Sequence, residues 1–288
     1  MSKADEAFKG TLYIVSTPIG NLKDITLRAL DILAQADLVA AEDTRHSRKL
    51  FTRYGIKTKL VSYFAAKEDK KAALLLDELR EGKKVALISD AGTPGISDPG
   101  FQLVNKAVRQ GHEVVTIPGP SALVSAITIS GIPSARFVFE GFLPPKGSER
   151  KKRLKALERE ERTIVLYESP RRIKRTLEDI LACLGDREAA LARELTKLHE
   201  EVVRGKISDI IRLFEKQTAK GEMALVLSGY NEEPREKAEP QDMNAFMEKI
   251  MKKELHLKEA AAIMSEVFTI SKREAYEKLL SLKGKGRK

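Results

Sequence analysis

The sequence predicts an α/β fold of two α/β domains with a cofactor cleft between them, followed by a small helical module. Three observations carry this. Short β-branched runs alternate with helical periodicity from residue 11 to about 230, the mark of a mainly parallel sheet covered by helices. Three glycine- and proline-rich loops follow strand ends. The last 48 residues, 241–288, show helical spacing alone.

The first domain is expected over residues 1–118. Its strands are predicted at Thr11–Ser16, Asp37–Glu42, Lys59–Tyr63, Val85–Ser89 and Glu113–Ile117. Helices are expected between them, at Thr26–Ala36, Arg45–Tyr54, Asp69–Glu81 and Pro99–Gln110. Asp98 has the chemistry of a helix cap with Pro99 in the first turn, and Gly111 that of a stop. The second domain is expected over 119–230, with strands at Phe137–Gly141, Thr163–Glu168, Ala189–Glu194 and Met223–Ser228. Helices fall at 120–130, 148–159, 170–184 and 207–220; Ser169, Pro170 and Gly185 repeat the start-and-stop chemistry around the third. The segment 231–240 (NEEPREKAEP) reads as a linker. In the terminal module, 241–288, helices are predicted at Leu257–Phe268 and Ser271–Leu280 around a break at Thr269-Ile270. Ser271 and Glu274 fit a capping box, and the pair resembles a helix–turn–helix. The tail KGKGRK is expected to be disordered.

Composition narrows the function classes. The chain has 288 residues and a net charge of +10. No apolar run approaches the roughly 20 residues a membrane helix requires, and the polar start MSKADEAFKG has no signal pattern. Cys183 is the only cysteine, which excludes an internal disulfide, so a cytoplasmic location is expected. The basic excess is concentrated: residues 136–175 hold 13 basic and 6 acidic side chains. A polyanionic partner suits such a balance. His46, His112, His199 and His256 have no metal-ligand spacing, and no metal is expected. Neither G-x-G-x-x-G nor a P-loop is present.

The loops are STPIGN (16–21), SDAGTPGISDPG (89–100) and IPGPSA (117–122). In an open α/β sheet, ligands bind outside the carboxyl ends of the strands. Glycine admits close backbone approach and proline fixes loop shape. Each loop alone reads as a tight turn, but three after three strand ends point to a small-ligand site.

In their order, these loops resemble the tetrapyrrole methylase superfamily. The run TLYIVSTPIGNLKDITLRALDILAQADLVAAEDTRHS leads to LISDAGTPGISDPG and IPGPSAL. FEGFLPPK, LYESPRRI, ARELTKLHEEVVRG and GEMALVLSG continue the likeness to about residue 230. The closest likeness is to the branch that 2′-O-methylates a cytidine ribose in the decoding region of 16S ribosomal RNA. The resemblance implies S-adenosylmethionine in the cleft, a homodimer, and 16S ribosomal RNA or the small ribosomal subunit as partner, with no membrane. It implies that Pro18 and Gly20 lie on the first loop at the cleft. Ala91, Gly92 and Thr93 match the family's Gly-Gly-Asp loop beside the donor's methionine part, and Thr93 stands where the porphyrin enzymes have aspartate. Ile96 would flank the adenosine. Ser121 and Ala122 match the pair on the third loop. Tyr167, Glu168 and Gly205 would close the site from the second domain.

A ribose hydroxyl is a weak nucleophile that a general base would activate. Asp43, Asp90, Asp98 and Glu168 are all near predicted strand ends, and Asp43, in AEDTR beside Arg45, is the single residue chosen. For RNA contact the sequence offers Arg45, then Lys151 and Lys152 in KGSERKKRLK (146–155), Arg171 and Arg172 after the second-domain loop, and Lys272 and Arg273 at the start of the last helix. Solvated helix faces are the ordinary fate of such charges. Two other functions are open from the residues: a tetrapyrrole C-methyltransferase and a nucleic-acid-binding regulator. The first leaves the basic patches unexplained, the second the three loops.

Overall fold

A computed structural model describes residues 10–64, 68–216, 220–231, 243, 246, 247, 250, 255–268 and 270–285. The first half alternates strand and helix. Its elements are β1 (Thr11–Val15), α1 (Leu27–Gln35), β2 (Leu38–Ala41), α2 (Thr44–Tyr54), β3 (Leu60–Ser62), α3 (Glu68–Arg80), β4 (Val85–Ile88), α4 (Phe101–Arg109) and β5 (Glu113–Ile117). The strands form one sheet in the order β3-β2-β4-β1-β5, with every pairing parallel. β2 and β4 are buried along their whole length, because helices cover both faces. Alternate residues go to opposite cores. Leu38 and Ala40 pack with Leu75, Leu79 and Leu103, while Val39 and Ala41 pack with Leu33, Leu50 and Phe51.

The second half comprises α5 (Ala122–Ser130), β6 (Phe137–Phe142), α6 (Gly147–Ala156), β7 (Thr163–Glu168), α7 (Ile173–Leu184), β8 (Glu188–Arg193), β9 (Glu201–Lys206), α8 (Ile207–Lys216) and β10 (Met223–Leu227). Its sheet runs β6-β7-β10-β8-β9, with only β6 and β7 parallel. β9 was not expected. It is an edge strand whose sequence, EVVRGK, is half exposed and carries no buried apolar run. The expected division at 118/119 separates the two sheets, but both belong to one compact unit, Met1–Tyr230.

Two helix starts differ from expectation. α4 begins at Phe101, with Gly100 as its N-cap at φ +150° and no side-chain cap. Residues 94–99 stay in turns, so Asp98 does not cap the helix. A side chain at Gly100 would approach Leu87 Cδ2 at 3.1 Å and Gly95 N at 3.2 Å, so only glycine suits this corner. α7 begins at Ile173, after a turn in which Ser169 accepts through its carbonyl from the amides of Arg172 (3.1 Å) and Ile173 (3.0 Å). In both places the residues with capping chemistry remain in a loop.

Asn231–Lys288 forms a second compact unit. Its helices α9 (Leu257–Val267) and α10 (Lys272–Lys285) share a core of Met243, Met247, Met264, Phe268 and Leu279. The rings of Phe246 and Phe268 meet edge to face at 5.3 Å. Ser271 caps α10 by accepting from the Glu274 amide at 3.2 Å, and α10 extends five residues past the expected Leu280. Residues 232–240 of the expected linker, Thr269 of the expected break and 286–288 of the tail lie outside the described residues. No described helix is long and apolar enough to cross a membrane.

Candidate functional site: two cavities that share a wall

The three glycine–proline loops are tied to one another. Thr17 and Gly92 exchange two backbone hydrogen bonds of 2.9 and 3.0 Å, a bridge between the first loop and the second. The Thr17 hydroxyl also donates to the Ser89 carbonyl (3.1 Å). Gly92 has φ +81°, which glycine adopts without penalty. A side chain at Gly119 would meet Ser16 Cβ at 2.9 Å, so the third loop lies against the first. The Thr93 hydroxyl shares a 2.9 Å hydrogen bond with the Ser16 hydroxyl and lies 3.5 Å from the Pro120 carbonyl. The residue that departs from the family aspartate thus joins all three loops.

Beyond the loops, Ile19 packs with Ala126, Ala192, Leu195 and Ala224. This apolar contact seats the first loop against the second sheet and leaves a cavity of about 300 Å³. Of the residues expected at the donor, Ala91, Gly92, Thr93, Ile96, Ser121, Ala122, Tyr167 and Glu168 line it. Ser121 also N-caps α5. The Tyr167 ring meets Phe139 (4.9 Å) and Phe142 (5.7 Å) edge to face, and burial pushes its hydroxyl up to about 12. The Glu168 carboxylate is buried and turned to its own element. It accepts from Thr176 Oγ1 (2.6 Å) and the Ser169 amide (2.8 Å), with Arg172 at 3.2 Å. It therefore holds the loop after β7 in shape.

Gly205 does not reach this cavity. It lies opposite Ala189 in the β8–β9 ladder, three residues along the strand from the Ala192–Val202 pair, or roughly 10 Å. Unforeseen contributors are Ala192, Leu195, Met223 and Ala224. As small or apolar residues at or just beyond strand ends they carried no local signal.

Pro18 and Gly20 line a second cavity, also about 300 Å³. Ile19, Ala91 and Glu222 line both, so the two share a wall. The second is polar at its rim, where Ser47, Lys49, Asp90 and Lys197 are found. A side chain at Gly20 would strike Lys197 Cγ at 2.5 Å, which places the first loop hard against the 194–200 segment. That segment contains two non-glycine residues at positive φ, Glu194 (+52°) and Thr196 (+67°). Such strain persists only where surrounding contacts hold it. Here Lys197 pairs with Glu194 (2.9 Å) and Glu222 (3.0 Å), and the Thr196 amide donates to Glu200 (2.6 Å).

The four carboxylates offered as bases are in different places. Asp43 N-caps α2: it accepts from the Arg45 amide at 2.8 Å and pairs with the Arg45 guanidinium at 3.2 Å. These bonds hold its carboxyl below the usual aspartate range. It lines neither cavity. Asp98 lines the first, where burial, and after it the charge of Asp90, raises its carboxyl against an opposing Ser89 hydrogen bond. Asp90 lines the second and accepts from the Asp43 amide at 3.0 Å. Glu42, at the end of β2, is raised by burial and by the charges of Asp98 and Asp90.

The expected RNA contacts also separate. Arg172 donates to the carbonyls of Leu143 (2.6 Å) and Pro144 (3.5 Å) besides pairing with Glu168, so it is engaged inside the protein. Lys151 pairs with Asp179 at 3.4 Å. Lys152 and Arg171 are exposed, with no ion-pair partner among the described residues. In the terminal unit Lys272 is exposed, and Arg273 pairs with Glu277 at 3.2 Å on its own helix.

The first cavity fits S-adenosylmethionine. Its size is that of a small-ligand pocket, Ile96, Phe142 and Met223 give apolar surface to a purine, and Asp98 faces it with a carboxylate suited to a sulfonium.

Comparison with known proteins gives one picture. The profile of the tetrapyrrole (corrin/porphyrin) methylases matches residues 11–211. The "Ribosomal RNA small subunit methyltransferase I" of Thermotoga maritima is 53% identical over 220 residues, 76% of this chain and 99% of that protein. The protein of the same name from Pasteurella multocida is 46% identical over 271 residues, 93% of this chain and 96% of its own. Among solved structures, a uroporphyrin-III-C-methyltransferase from Thermus thermophilus shares the fold. Its TM-score is 0.56 at 23% identity, covering 76% of this chain and 94% of that one.

Proposed function

The chain belongs to the tetrapyrrole methylase family, in the branch of the ribosomal RNA small subunit methyltransferases I, and on that premise we propose that it methylates the 2′-hydroxyl of a cytidine in the decoding region of 16S ribosomal RNA. It is an S-adenosylmethionine-dependent methyltransferase. The bound donor supplies an electrophilic methyl group on a sulfonium. The carrying observation is that the two cavities adjoin, with Ile19, Ala91 and Glu222 lining both. An in-line transfer needs donor and acceptor held face to face, and such positioning lowers a barrier by several kcal/mol, up to about 7–11. The loops after β1, β4 and β5 with the ends of β7, β8 and β10 hold the donor. The first loop, α2 and Lys197 border the acceptor.

Asp43 caps a helix and lines neither cavity, so the role of base passes in this reading to Asp90, which borders the acceptor cavity with no ion-pair partner among the described residues, whereas the other carboxylate there, Glu222, pairs with Lys197. A cytoplasmic homodimer completes the reading. The lone Cys183, which allows no internal disulfide, supports the compartment; the dimer rests on the family resemblance.

The test is transfer of labelled methyl to small ribosomal subunits lacking the modification, with the position mapped. The product should be a 2′-O-methylcytidine, and a porphyrinogen should accept nothing. Asp90→Asn should lower kcat by about 10²–10⁴, while Asp43→Asn should stay within a few-fold and keep near-parental stability, because asparagine caps a helix as well as aspartate does. A large kcat loss in Asp43→Asn alone would return the base to that residue.

A further inference from the structure

The outer face of α2 is basic along its length. Its inner side chains, Ser47, Leu50 and Phe51, are buried. On the other side Arg45, Arg48, Lys49 and Arg53 line an open surface depression with Thr52. This depression continues into the acceptor cavity, because Lys49 lines both. A third hollow adjoins them: Lys23, Arg53 and Lys197 border it, and Lys197 again belongs to the acceptor cavity. Among the described residues, no carboxylate pairs with Arg48, Lys49 or Arg53. Like charges three and four positions apart on a helix repel one another, so an anion spanning this face would relieve that repulsion.

We propose that the basic face of α2 carries the RNA backbone and delivers one unpaired ribonucleotide into the second cavity, with its ribose at the boundary where that cavity meets the donor cavity. The inference rests on the methyltransferase reading and adds the path by which the acceptor enters. The occupant is a single-stranded or extruded segment, because a ribose inside a duplex cannot be brought to the inner end of a recessed cavity. The phosphates before and after that nucleotide fall to Lys49 on one side and Lys197 on the other. Lys197 is already positioned by Glu194 and Glu222. Among the described residues Arg48, Lys49 and Arg53 have no such partner and are available to phosphate, whereas Arg45 pairs with Asp43.

The test uses the full chain and small ribosomal subunits from a strain without the methyltransferase, titrated at several salt concentrations. Arg48 and Arg53 are exposed and have no ion-pair partner among the described residues, so Arg48→Ala with Arg53→Ala should leave folding and S-adenosylmethionine affinity at the parent's values. Subunit affinity should fall at least tenfold at low salt. The slope of log affinity against log salt should shrink by roughly 1.4, two phosphate contacts at the single-strand value. KM for subunits should rise with kcat at saturation little changed, whereas Lys49→Met, at the cavity edge, should alter both. A double variant with parental affinity and parental slope would overturn the proposal while the parent still methylates. A parent whose binding depends on Arg48 and Arg53 but which transfers no methyl group would instead overturn the methyltransferase reading and leave the RNA surface standing.

Discussion

Asp98 illustrates how one side chain can have a local and a tertiary reading. The sequence Asp-Pro-Gly favours a helix cap, yet α4 starts at Phe101 and the carboxylate faces the donor cavity. Burial raises its pKa above the usual aspartate value. A cationic donor favours the ionised form. The sign follows: donor affinity should be constant at pH values above the raised pKa and fall as pH drops through it, by at most one proton's worth. Calorimetric titration between about pH 4 and pH 8 should show this for the parent. Asp98→Asn should bind more weakly with no such inflection, and an inflection that survives would assign it to another group. Asp43 shows the opposite case. Its position after β2 was legible, but its lowered pKa and capping bonds come from Arg45, two residues away.

At the scale of elements, the parallel strands were legible because both their faces are buried, so β2 and β4 read as unbroken apolar runs. β9 escaped because an edge strand needs no such run. The donor loops were legible from glycine and proline, whereas Ala192, Met223 and Ala224 were not, since only tertiary packing brings strand ends to a cavity. The charge run 146–155 was misleading in part. Arg150 on α6 is 1% exposed and bonds Asp179 of α7 through Nε (2.8 Å) and a terminal nitrogen (2.5 Å), and the Pro145 carbonyl at 3.2 Å. Arg153 pairs with Glu140 at 2.6 Å. Arg150→Met should therefore destabilise the protein by about 3–5 kcal/mol, because it leaves Asp179 buried with only Lys151 near it. Urea unfolding measures this, and adding Asp179→Leu should restore most of the loss. A destabilisation below about 1 kcal/mol would mean that the pair behaves as a surface bridge.

For the whole molecule, the two compact units have separate cores, and each residue of both cavities lies before Tyr230. The Thermotoga maritima relative is spanned almost end to end by 220 residues of this chain, too few for counterparts of both units. The chemistry should therefore reside in the first. Deleting 238–288 should leave S-adenosylmethionine affinity within about twofold and weaken binding to small subunits, with Lys272→Ala plus Arg273→Ala giving a smaller loss of the same kind. Lost donor binding in a folded truncation would show that the terminal unit supports the α/β unit. Thr93 and its partners have a consequence for assembly. The donor cavity draws on residues from Ile19 to Ala224 and on a knot that joins Ser16 to Thr93, 77 positions apart. Such distant contacts form only after the intervening chain has closed. A chain still being synthesised therefore has no donor site until β10 has docked. From then on, occupancy by the donor stabilises the complete unit rather than a single loop, in proportion to the logarithm of donor concentration. The unfolding midpoint of the complete unit should therefore rise with donor concentration.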